Sequence, residues 1–305
     1  MKASCTFAAL LLPLCIAAAS PAQDLTAAQM PSGTELRALV TDARVDEISG
    51  IAASRRHPGL FWVLNDSDRP AEIYALDDSG AVRATLALEG VRNVDWEDIS
   101  SFEVDGTSWL MIADTGDNGG LRRELAMHFV EEPAAVADAT VPVARSVRFV
   151  WPDGPRDCEG SAVDVQRGEI YLVSKKRIPP ELFRLPLAPR GDATLTAERV
   201  GTLAGIEQPT PDDLRRNPVY GRYRAQITGL DIASDGSWLA ALNYRRVYLW
   251  QRVPEGWAAA VTRPARAIEF PWIPQAEAIG FDVDNHAVWI SSERLPAPLM
   301  RLELP

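Results

Sequence analysis

The chain has 305 residues, 47% of them hydrophobic and 24% charged, with a formal net charge of −11 at neutral pH. That acid excess argues against nucleic acid as a general partner, because phosphate backbones need a basic face. It is also a common solubility device, so it does not by itself imply a cationic ligand.

The chain opens on a leader pattern. Lys2 is followed by an apolar run from Phe7 to Ala19, and Ser20-Pro21-Ala22 then supplies a small-x-small cleavage pattern. This predicts a secretory signal peptide cut after about Ala22. The run is too short for a comfortable membrane span. Leu14, where a lipobox wants a small residue, argues against lipidation at Cys15. The expectation is an exported protein, periplasmic or secreted, with no membrane span and one domain over residues 23–305. Cys158 is then the only cysteine left, which leaves no intrachain disulfide. No histidine is placed to activate it, so it reads as a packed thiol.

A short pattern recurs along the rest of the chain. Its copies are Glu47-Ile48-Ser49-Gly50-Ile51, Asp95-Trp96-Glu97-Asp98-Ile99, Asp157-Cys158-Glu159-Gly160-Ser161, Gln226-Ile227-Thr228-Gly229-Leu230 and Gln275-Ala276-Glu277-Ala278-Ile279. They start 48, 62, 69 and 49 residues apart. The short spacings fit a propeller blade of about 40–50 residues, and the long ones imply insertions. Each copy is followed by an apolar run ending in a polar residue: Leu60 to Asn65, Trp109 to Asp114, Ile170 to Ser174, Trp238 to Asn243 and Val288 to Ser291. Such runs read as buried strands. The stretches starting at Asn65, Ser174 and Ser291 then align without gaps through a proline, an aliphatic and a final leucine, Leu76, Leu185 and Leu302.

Each unit therefore holds an inner strand, a second strand and a third. Fourth strands are predicted over Val82–Leu88, Val143–Trp151, Leu195–Leu203 and Ala265–Phe270. The fifth unit lacks one, and Glu35–Thr41 can supply it. This predicts an all-β, five-bladed β-propeller closed by pairing of its N- and C-terminal strands. The alternative is six blades, with one hidden between Leu203 and Gln226. That segment is rich in Pro, Arg and Asp and reads as an insertion. No helical periodicity is evident beyond the leader.

Inner strands start, and second strands end, on one face of a propeller. That face gathers Glu47, Asp95, Asp157, Gln226 and Gln275, with Ser49, Glu97, Glu159, Thr228 and Glu277 two residues on. Alternation along a strand is expected to put both sets on the same side. Asn65, Asp114, Ser174, Asn243 and Ser291 form a second ring, with Asp66, Asp117, Lys175, Tyr244 and Ser292 beside it. Two carboxylates about 5 Å apart repel by roughly 3 kcal/mol at an effective dielectric of 20. Protons, hydrogen bonds or a cation must relieve several such pairs. An oxygen-only donor set suits a hard ion, above all calcium. The competing reading is architectural, with these side chains tying neighbouring blades together. Asp114 to Gly119 resembles an EF-hand loop, but Gly116 stands at the third ligand position and excludes it. His57, His128 and His286 lie outside both rings and show no zinc spacing.

The other half of the mouth is basic. Lys175, Lys176, Arg177, Arg245 and Arg246 follow second strands, and the insertion adds Tyr220 and Tyr223 among its arginines. This predicts an anion site with Lys175 and Arg245 as main contacts and a tyrosine as lid. The alternative is a solvated basic surface.

Asp95-Trp96-Glu97-Asp98-Ile99 with Ala113-Asp114-Thr115-Gly116-Asp117-Asn118 resembles secreted bacterial propellers of the phytase-like, calcium-apyrase-like and gluconolactonase-like kinds. The resemblance implies a channel metal that polarises a phosphoryl or carbonyl group, with Glu97, Asp114, Glu159, Asn243 and Glu277 as its ligands. Ser49 and Thr228 break the symmetry of that carboxylate ring. Two readings follow: a metal-dependent hydrolase of an anionic small molecule such as a phosphate ester, or a lactone or other ester, and a non-catalytic binding or scaffold propeller with a structural metal or none. No nucleophile–base–acid set stands out, and no motif names a protein partner.

Overall fold

The computed structural model describes residues 33–304 except 217, 219 and 220. The signal-peptide reading, its cleavage point and Tyr220 therefore lie outside the described residues.

The chain winds through five sheets, each built on four antiparallel strands. It enters on β1 (Thr34–Val40). Blade one is β2 (Ile48–Ala53), β3 (Leu60–Asn65), β4 (Glu72–Asp77) and β5 (Val82–Glu89). Blade two is β6 (Trp96–Val104), β7 (Thr107–Asp114), β8 (Leu125–Glu131) and, after the short β9 (Ala139–Pro142), β10 (Arg145–Val150). Blade three is β11 (Cys158–Asp164), β12 (Glu169–Ser174), β13 (Glu181–Pro186) and, after β14 (Leu195–Thr196), β15 (Glu198–Thr202). Blade four is β16 (Gly229–Ile232), β17 (Trp238–Leu242), β18 (Arg246–Gln251) and β19 (Arg266–Glu269). Blade five is β20 (Ala276–Phe281), β21 (Ala287–Ser292) and β22 (Ala297–Glu303), and β1 completes it.

The ring closes as the repeat requires. β1 runs antiparallel to β22, with Thr34 opposite Leu302 and Val40 opposite Ala297. The architecture is thus a five-bladed propeller with terminal strand closure. The insertion ahead of blade four holds a short helix, α1 (Pro211–Arg216), and a 3-10 turn (Gly221–Ala225), with no strand among its described residues.

Three details depart from the pattern read in the sequence. The fourth strand expected over Leu195–Leu203 is split: β15 stays in blade three, while β14 pairs in parallel with β10 of blade two. β9 likewise pairs in parallel with β5. Both short strands cover the outer edge of the preceding blade, an edge otherwise open to pairing with another chain. A second short helix, α2 (Trp257–Ala260), follows β18, where Trp257 is buried and donates its indole N–H to Asp164 at 2.9 Å.

Five apolar cores fill the five junctions between blades. β12 shows how the strands serve them. Ile170 and Leu172 pack toward blade two, while Tyr171 and Val173 pack toward blade four. With both faces buried, alternation of polar and apolar residues disappears and the strand reads as one apolar run.

Hydroxyls and carboxylates then fasten blade to blade at the inner strands. Ser49 donates to Glu97 O at 2.8 Å, Thr115 to Cys158 O at 2.8 Å and Thr228 to Ala276 O at 2.7 Å. Asp98 accepts from the Ser161 N–H at 2.8 Å, and Asp231 from the Phe281 N–H at 2.7 Å. These contacts need close backbones. A Cβ on Gly229 would lie 2.6 Å from Glu277 O. Gly229→Ala should therefore destabilise the protein by about 1–3 kcal/mol, read as a lower denaturant midpoint. An unchanged midpoint would contradict the tight junction of blades four and five.

Candidate metal centre at the channel mouth

A backbone irregularity aims the central side chains. The pairing of β2 with β3 shifts between Ile48 and Gly50, and that of β6 with β7 between Trp96 and Asp98. β11 with β12 shifts between Cys158 and Gly160, and β20 with β21 between Ala276 and Ala278. The residues passed over are Ser49, Glu97, Glu159 and Glu277. A bulge leaves one residue out of the ladder and re-aims its side chain. Asp95 and Glu97 still meet on one side, their carboxylate oxygens within 4.8 Å of each other, although the bulge interrupts the ladder between them.

The three glutamates meet. Carboxylate oxygens of Glu97, Glu159 and Glu277 lie within 4.8 Å of one another, and the residues are 1%, 2% and 3% exposed. Lys175 enters the same cluster, its ammonium 2.7 Å from Glu159 Oε1 and 3.8 Å from Glu277 Oε1. The Tyr244 hydroxyl donates to Glu277 Oε1 at 2.8 Å, and Ser49 donates to Glu97 Oε2 at 3.3 Å. Two oxygens are left over: Glu97 Oε1 and Glu159 Oε2 are buried without a hydrogen-bond partner. Lys175 and Tyr244 hold the same repeat position as Asp66, directly after Ser174, Asn243 and Asn65, and that shared position is the signal that places them at the centre.

Burial and mutual repulsion raise the proton affinity of this cluster. Burial first, and then the charge of Glu159, hold the Glu97 carboxyl well above its ordinary value. Burial likewise lifts Glu159, against the opposing charge of Lys175. Glu277 is pushed up to about 8 by burial, with Lys175 opposing and Glu293 adding. Glu293, which shares a hydrogen bond with Glu277, is pushed up to about 7, chiefly by burial. Burial works against the Lys175 ammonium, but Glu159 and Glu277 outweigh it and keep the group charged.

The other residues singled out in the sequence go elsewhere. Asp114 pairs with Arg122 at 2.7 Å and accepts the Asp95 N–H at 3.2 Å. Asn243 accepts the Arg245 and Arg246 N–H groups at 2.9 and 2.8 Å and donates to Arg224 O, so it holds a turn. Asn65 does similar work, donating to Arg44 O and accepting from the Glu47 N–H. Asn65, Asp114 and Asn243 of the second ring are thus engaged in turns and an ion pair, and of the five ligands implied by resemblance Glu97, Glu159 and Glu277 form one carboxylate group.

Four of the five basic residues pair with carboxylates. Lys175 is in the glutamate cluster, and Lys176 reaches Asp157 at 3.0 Å and Asn118 Oδ1 at 2.7 Å. Arg245 pairs with Glu269 at 3.1 Å, and Arg246 with Glu207. Arg177 is exposed, and Tyr223 lies under the Arg222 guanidinium, 4.8 Å from its ring centre. Lys175 and Arg245 thus have different carboxylate partners, Glu159 and Glu269. Cys158 is fully buried, and burial pushes its thiol far up, which suits a packed, unreactive sulfur.

The donor set fits a hard divalent cation. All donors are oxygens, and two of them lack partners. No helix among the described residues is long and apolar enough to cross a membrane.

No protein-family model matches the chain, and no curated protein matches it. Solved structures similar to it include the PQQ-bound aldose sugar dehydrogenase of Streptomyces coelicolor, at 10% identity over 88% of this chain and 97% of that one, with a TM-score of 0.48. A gluconolactonase from Xanthomonas campestris is 18% identical over 85% of this chain and 72% of that one, with a TM-score of 0.40. A luciferin-regenerating enzyme is 13% identical over 85% and 79%, with a TM-score of 0.40. At such identities and scores, none of them carries chemistry over to this chain.

The raised carboxyls set a pH dependence. Unfolded, these groups ionise at about 4–4.5. Folded, Glu277 and Glu293 keep their protons to about 8 and 7, and Asp95 to about 6, where burial and the charge of Asp66 raise it. Between those limits the folded state binds more protons than the unfolded one, so stability falls as pH rises through that window. In EDTA, the melting temperature should drop between pH 5 and pH 8.5. A flat or rising profile would contradict the raised values.

Proposed function

We propose that this propeller is a divalent-cation-dependent hydrolase, with calcium as the ion and an anionic small molecule, such as a phosphate ester or a lactone or other ester, as substrate. The observation that carries the reading is the convergence of Glu97, Glu159 and Glu277, buried and with two oxygens unsatisfied. A divalent cation held there would supply Lewis-acid polarisation of a phosphoryl or carbonyl oxygen and a more acidic water. Tyr244 and Lys175 hold Glu277 and Glu159 in position. Glu293, at the edge of the cluster with a carboxyl near 7, is suited to accept a proton at neutral pH. In an exported protein, a calcium affinity of about 10⁻⁴–10⁻³ M would suffice.

One observation favours a second reading. Lys175 already places a cation among the glutamates. In that case the propeller is a binding module stabilised by its own ammonium, with no ion required.

Thermal melting with and without calcium separates the two. Calcium at about 100 times its dissociation constant adds about 2.7 kcal/mol to the folded state, which raises the melting temperature by roughly 5–10 °C for a chain of this size. Glu159→Gln should abolish that rise and the hydrolysis of phosphate esters or lactones in a substrate screen. A calcium-dependent rise without hydrolysis of any substrate would favour a binding propeller with a structural ion. No rise, and no ion in elemental analysis, would leave Lys175 as the only cation and defeat the metal reading.

A further inference from the structure

We propose that a second cation position adjoins the first, formed by Asp66, Asp95 and Glu97, so that Glu97 is shared between two ions. This inference rests on the cation reading of the glutamate cluster and extends it from one ion to two. Carboxylate oxygens of Asp66, Asp95 and Glu97 lie within 4.8 Å of one another, and Glu97 is the member common to both groups.

The oxygen that points to a ligand is Glu97 Oε1. It is buried in a residue only 1% exposed and has no hydrogen-bond partner. It borders the same small space as Asp95 Oδ2, the space over the Cα of Gly116. A Cβ on Gly116 would collide with both oxygens. Glycine at this position keeps side-chain atoms out of the gap between the two carboxylates.

Charge favours this position at least as much as the first. The glutamates at the centre have Lys175 among them, whereas Asp66, Asp95 and Glu97 have no ion-pair partner among the described residues. The nearby Arg122 guanidinium is held 2.7 Å from Asp114 and donates to Gly116 O at 2.8 Å. Burial first, and then the charges of Asp66 and Asp157, raise the Asp95 carboxyl, and the Arg122 charge and a hydrogen bond with Ser67 offset this only in part. Asp66 and Asp95 are partly exposed, so an ion held by them would stay open to water or to an anionic oxygen on its outer side. The donor set is again oxygen only, suited to calcium or manganese. The ligand class that fits a pair of such ions is an anion with two oxygens to offer, a phosphate or a carboxylate.

Calcium titration calorimetry and elemental analysis on the full chain test the count. Wild type should bind two calcium ions per chain. Asp66→Asn/Asp95→Asn, which keeps shape and removes charge, should bind one, and Glu277→Gln should keep one at the outer position. Glu97→Gln should weaken both sites by at least tenfold. One ion in wild type, unchanged in Asp66→Asn/Asp95→Asn, would overturn the second position while leaving the first reading intact. No ion in any protein would overturn both. If a variant fails to fold, terbium titration of wild type alone still reads the count: saturation at two per chain supports the shared Glu97, and saturation at one refutes it.

Discussion

Carboxylates crowded and buried at the centre of the ring need positive charge or protons among them, and the inner part of this propeller is arranged around that requirement. Four inner strands carry a bulge where a side chain turns into the channel, and three of those side chains are glutamates. Lys175 supplies one charge, Tyr244 and Ser49 supply hydrogen bonds, and raised proton affinities absorb the remainder. Protons and a divalent cation compete for the same oxygens, because ligands must give up their protons to hold an ion. Protons on the glutamates and the charge of Lys175 thus balance the cluster as it stands.

The ring makes this crowding tolerable. Five apolar cores between blades, tied by Ser49, Thr115, Thr228, Asp98 and Asp231, hold the inner strands against the repulsion they carry. β1 closes the ring on β22, so no blade can swing outward to relieve the strain of like charges. In two blades the glutamate position holds Ser49 or Thr228, and those residues do the fastening. The repeat therefore divides one position between two tasks, adhesion in two blades and the central carboxylate cluster in three.

Much of this was legible before any coordinates. The recurring pattern locates every inner strand, because each blade must repeat the same turn into the channel. The closing strand was legible because the fifth unit is one strand short. The identity of the central three was legible from the position of Glu97, Glu159 and Glu277 in the repeat. The second ring was not. Asn65, Asp114 and Asn243 have the right chemistry for ligands and for turn caps alike, and only the backbone shows that their oxygens face N–H groups or Arg122. Lys175 was misleading for a related reason. Its neighbours Lys176 and Arg177 suggest an anion-facing run, while its repeat position, shared with Asp66 and Tyr244, sends it inward. The split of the segment from Leu195 to Leu203 between two blades depends on long-range pairing that no local pattern encodes.

The most direct measurement is an anomalous difference map from a crystal soaked in manganese, which occupies oxygen sites meant for calcium and scatters anomalously. The account predicts a peak bounded by the carboxylates of Glu97, Glu159 and Glu277, with Lys175 still against Glu159. A map without a peak there at saturating manganese, with the Lys175 ammonium filling the space between the three glutamates, would contradict it.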